Sequence, residues 1–114
     1  MKIGYARKIT KETGVLIYKD NGLYYFYIYG LGILIYGKTL DDLTSNTKKI
    51  LDDLIKGIKS GEIKIESLIK DEPLKNRVLF KISLFLSSLL PDSSKKNQIN
   101  KMKPYIDKLT PHYA

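Results

Sequence analysis

Between Gly22 and Leu54 the apolar period changes from two residues to 3.6, and that switch constrains the fold more than any other feature. Leu23, Tyr25, Tyr27 and Tyr29 fall on one side of an extended run, with Tyr24, Phe26 and Ile28 on the other. Gly30-Leu31-Gly32 interrupts the run, Ile33-Leu34-Ile35-Tyr36 resumes it, and Gly37-Lys38 ends it. Thr39 then has the character of a helix N-cap, with Asp41 and Asp42 in the first turn against the positive end of the helix. Leu40, Leu43, Thr47, Ile50, Leu51, Leu54 and Ile58 follow on one helical stripe, which predicts a helix laid across one face of a sheet.

The flanking segments extend this pattern. Lys2 to Thr10 alternates like a strand, with Ile3, Tyr5 and Ile9 on one face. A turn at residues 11–14 leads into a second strand from Val15 to Lys19. Asp20-Asn21-Gly22 is a hairpin signal, because Asn and Gly tolerate the positive φ of a two-residue turn. Beyond Gly61, Pro73 suits the first turn of a second helix running to about Leu90. Its apolar stripe (Leu74, Val78, Leu79, Ile82, Phe85, Leu86, Leu89 and Leu90) is wide, which predicts a helix buried on much of its surface. Pro91 ends it, and Ile99, Met102, Ile106 and Leu109 mark the edge of a last helix. The fold class is therefore α+β. An N-terminal antiparallel meander of about four strands in residues 2–37 precedes three main helices, at 39–58, 73–90 and 93–109, packed on the sheet. Residues 1–114 read as a single domain, with sheet and first helix in 1–61 and a basic helical extension in 62–114.

Within residues 15–54, Lys19-Asp20-Asn21-Gly22 forms the hairpin, Leu23-Tyr24-Tyr25-Phe26 an aromatic strand, and Leu31-Gly32 a turn. Gly37-Lys38-Thr39-Leu40-Asp41-Asp42-Leu43-Thr44-Ser45-Asn46-Thr47 then opens the helix. This succession resembles the N-terminal domain of the HicB family of antitoxins, a small sheet plus helix of degenerate RNase H type. The resemblance implies that fold for the segment, and an antitoxin-like regulator that binds a small RNA-cleaving toxin.

The chemistry of catalysis is poorly represented. There is no cysteine, so disulfides, thiolate metal sites and cysteine nucleophiles are excluded. The single histidine is His112. Asp41-Asp42 and Asp52-Asp53 are adjacent on a helix and point about 100° apart, so neither pair converges on one ion. A metal-dependent nuclease needs several carboxylates converging from strands, and the strands offer only Asp20, in a turn. A small hydrolase is the reading these residues support least. No catalytic, metal or cofactor residues are expected. The first ten residues lack the apolar core of a signal peptide, and the run from Leu79 to Leu90 is too short to cross a bilayer. A cytoplasmic location without membrane association is expected. The lysine-rich, cysteine-free composition is also one that thermophiles favour.

The net charge of +8 is unevenly spread. Residues 1–38 carry six basic and two acidic side chains, 39–72 six and eight, and 73–114 eight and two. A basic C-terminal third beside an acidic middle predicts contact with nucleic acid or an acidic partner through Arg77, Lys95, Lys96, Lys101, Lys103 and Lys108. Lysines outnumber arginines, which favours backbone contact tolerant of sequence over reading of base edges. Tyr25, Tyr27 and Tyr29 could stack bases or a partner on an open sheet face, or pack beneath a helix. Two apolar helices in need of a surface favour packing. The chain thus reads as a small basic binding protein, an accessory subunit in replication, transcription or translation.

Overall fold

The computed structural model describes residues 2–10, 13–64, 71–89 and 104. Four strands, β1 (Tyr5–Lys8), β2 (Gly14–Asp20), β3 (Leu23–Tyr29) and β4 (Ile33–Gly37), form an antiparallel meander in the order β1-β2-β3-β4. Two helices among the described residues follow, α1 (Leu40–Ser60) and α2 (Leu74–Leu89). The architecture is α+β with an N-terminal meander. The third helix expected at 93–109 lies outside the described residues, so two helices are counted rather than three.

Local chemistry fixes the turns and caps. Asn21 (φ 52°) and Gly22 (φ 79°) both occupy the left-handed region, the requirement of a type I′ hairpin, and bring Asp20 opposite Leu23. Gly30 and Gly32 turn the chain at φ 91° and 69°, with Leu31 buried between them. Thr39 accepts a 3.1 Å hydrogen bond from the Asp42 amide and caps α1, and Gly61 closes it in the left-handed conformation.

The sheet lies between the two helices. On one face Val15, Ile17, Phe26, Ile28 and Ile35 pack with Leu31 against Leu43 and Leu51 of α1. On the other, Ala6, Leu16 and Tyr18 pack with Phe80 of α2. Gly14 makes this second layer tight, because a β-carbon there would collide with the Phe80 ring.

Two expectations change. β1 is shorter than the Lys2–Thr10 run and starts only after Gly4, which passes so close to the Ile17 carbonyl that no side chain fits. The larger change concerns α2. Among its described residues only Phe80 and Ser83 are buried, and most of the apolar stripe faces outward. What α2 meets is an edge strand with unpaired amides, which needs acceptors. Ser83 accepts from the Gly4 amide at 3.2 Å and Ser87 from the Ala6 amide at 2.9 Å. The serine side of the helix therefore turns inward.

Among the described residues one buried side-chain polar atom lacks a partner: the Thr47 hydroxyl, on the sheet side of α1 in a residue 1% exposed. Thr47→Val should raise stability by about 1 kcal/mol in urea denaturation, because it removes an uncompensated hydroxyl at little cost in shape.

Candidate interaction surface

The second helix is set on the sheet by a buried acid. Glu72 precedes α2 by two residues and is 7% exposed. The Tyr27 hydroxyl donates to its carboxylate, 2.7 Å from Oε1 and 2.9 Å from Oε2. The Gly30 amide donates to Oε1 at 2.9 Å and the Asn76 side chain to Oε2 at 2.9 Å. Three donors thus serve the two carboxylate oxygens, with the single Tyr27 proton shared between them, so the buried acid is not left without partners. Arg77 folds back so that its Nε donates to the Glu72 backbone carbonyl at 2.8 Å.

This arrangement settles what the tyrosines touch. Tyr25, Tyr27 and Tyr29 share the α2 face and are all half-buried. Tyr29 stacks on Phe80 with ring centres 4.2 Å apart, and Tyr27 is held by Glu72. Tyr25 stacks on Tyr18 at 5.0 Å and leans on Tyr36 at 6.4 Å. The three are packed together but not under one helix, since α2 covers the β1 side and leaves the β4 side open. Leu34 and Tyr36 stand exposed there, on the same face. Tyr36 was absent from the sequence-derived candidates, although hairpin register across Gly30–Gly32 puts it opposite Tyr25. Glu72 was missed because its role depends on Tyr27, 45 residues away.

Of the basic candidates, Arg77 is exposed on α2 one turn from the exposed Lys81, on a helix that carries no acidic residue. Lys95, Lys96, Lys101, Lys103 and Lys108 lie outside the described residues. Among the described residues, no group of three or more His, Cys, Asp or Glu is placed to hold a metal ion. No described helix is long and apolar enough to cross a membrane. At the acidic start of α1, Lys19, Tyr24, Lys38 and Asp41 line an open recess of about 390 Å³. Lys19 rests 5.3 Å from the centre of the Tyr24 ring. No family model matches the chain, and neither a curated protein nor a solved structure matches it.

The clamp has a pH signature. Burial raises the Tyr27 hydroxyl well above its ordinary value near 10, and the hydrogen bond to Glu72 and the charge of that residue raise it further. The folded state therefore holds this proton more tightly than the unfolded chain. Its contribution is complete below about pH 10 and is lost as the pH rises beyond. Stability measured in urea should fall as the pH rises from about 10 towards about 12. Tyr27→Phe should be less stable at the lower pH and show a shallower fall. Tyr18 and Tyr29, both raised first by burial, contribute to the remaining slope.

Proposed function

We propose that this chain is a small basic binding protein that performs no chemistry, an accessory subunit of a cytoplasmic nucleic-acid-processing assembly. The observation that carries the reading is the division of charge, eight basic against two acidic side chains in residues 73–114 beside an acidic middle. The exposed Arg77 and Lys81, one turn apart on the same side of α2, carry basic charge onto the folded body, with no acidic residue on the helix. Lys95, Lys96, Lys101, Lys103 and Lys108 supply the rest, and their chemistry suits phosphate oxygens or an acidic protein surface.

The test is a salt titration of duplex binding by fluorescence anisotropy. Four phosphate contacts from Lys95, Lys96, Lys101 and Lys103 give log K a slope of about −3 to −4 against log salt. Replacing all four by glutamine should flatten that slope. If neither protein binds duplex or single strands at about 50 mM salt, where electrostatic binding is strong, the reading fails.

A second reading follows from the antitoxin resemblance. It is supported by the continuous β2-β3-β4-α1 unit, with an Asn21-Gly22 hairpin and a Thr39-capped helix. A short RNA-cleaving toxin encoded beside this chain, and captured by it on co-expression, would favour that reading.

A further inference from the structure

The exposed face of α2 bears on assembly, a matter independent of nucleic-acid binding. Leu74, Val78, Ile82, Phe85, Leu86 and Leu89 are 75%, 47%, 39%, 64%, 38% and 59% exposed. At 100° per residue they form one stripe opposite the Phe80-Ser83-Ser87 side that meets the sheet. The stripe runs four turns, about 22 Å. Its exposed surface amounts to about three whole large side chains, roughly 600 Å² per chain. That is at the upper end of what monomers leave uncovered.

We infer that this stripe is the interface of a two-fold dimer with a second copy of the chain. Two copies would bury at most about 1,200 Å², at the lower end of specific interfaces. The shape suits self-pairing. Leu74, Val78, Ile82 and Leu86 form one ridge at i+4 spacing, with Phe85 and Leu89 as a second row beside it. Ridges of this type interdigitate between two helices at about −50°, and a two-fold axis near Ile82 lets each ridge fill the other copy's groove. Both sheet edges are partly occupied: Ser83 and Ser87 accept from the amides of Gly4 and Ala6, and the Asn46 side chain donates to the Tyr36 carbonyl of β4 at 2.9 Å. Lys81 borders the stripe, and Lys75 falls within its arc at the N-terminal end, two turns from Ile82, where a long stem keeps its charge in water. Those like charges oppose association, so salt strengthens the dimer, the reverse of its effect on nucleic-acid binding.

Sedimentation equilibrium on the full chain tests the inference. The parent should be dimeric at about 100 µM and tighten as salt rises. Phe85→Glu and Ile82→Glu should each weaken association at least about 100-fold, because each buries two unpaired carboxylates on the axis. Unchanged far-UV circular dichroism would show that the fold survives, as expected for side chains turned away from the sheet. Tyr36→Glu, on the open side of the sheet, should remain dimeric. The chain has no cysteine, so a short bis-maleimide should link Ile82→Cys into dimers and leave Leu34→Cys unlinked. A parent that stays monomeric up to about 500 µM overturns the inference. A monomer whose introduced thiol at position 82 is shielded from alkylation overturns it in favour of residues 90–114 covering the stripe. A dimer that survives both glutamate variants overturns it in favour of another interface. Each of these outcomes is independent of whether nucleic acid binds.

Discussion

The buried carboxylate of Glu72 is the interaction on which the arrangement of the second layer depends. It ties the start of α2 to the middle of β3 through Tyr27 and to the β3–β4 turn through Gly30, and Asn76 closes the cluster from within the helix. An acid can remain buried only while these donors are in place, so the start of α2 is fixed in position and rotation. The rotation then propagates. With Asn76 turned inward, helical spacing brings Phe80, Ser83 and Ser87 to the same side, onto Gly14, Gly4 and Ala6 in turn. The large apolar side chains are left on the opposite side.

The two faces of the sheet are thus held by different physics. The α1 face is an ordinary hydrophobic layer, with Leu43 and Leu51 seated on branched and aromatic side chains and Leu54, Ile55 and Ile58 at its margin. The α2 face is narrower and more polar. Stacked rings, two serine acceptors for an edge strand and one buried acid with three donors hold it together. Such a layer is specific in geometry, because each hydrogen bond fails if the helix turns or slides by one residue. It is also what leaves an apolar stripe available for association.

The features legible in the sequence were those written into neighbouring residues. Asn21-Gly22 specified a hairpin, Thr39 with Asp41 and Asp42 a helix start, and Leu43, Thr47 and Leu51 the buried side of α1, because each signal is complete within a turn or two of chain. The same locality misled for α2. Counting apolar residues pointed Ile82 and Phe85 inward, whereas the surface awaiting the helix was a strand edge that needed Ser83 and Ser87. That requirement arises only once β1 is placed beside residues about 80 positions away. Tyr25, Tyr27 and Tyr29 were legible as one face, but their individual partners depend on Phe80, Glu72 and Tyr36. The basic candidates were legible as a charge pattern, and of them Arg77 alone lies among the described residues, bound to the turn that carries Glu72.

The second layer therefore rests on one contact, between Tyr27 and Glu72. A double-mutant cycle measures it most directly, with urea denaturation of the parent, Tyr27→Phe, Glu72→Ala and the double variant. A hydrogen bond to a buried carboxylate predicts that the two losses are not additive, with a coupling of about 1.5–3 kcal/mol. Additive losses, with a coupling below about 0.5 kcal/mol, would contradict the claim that this contact holds the helix to the sheet.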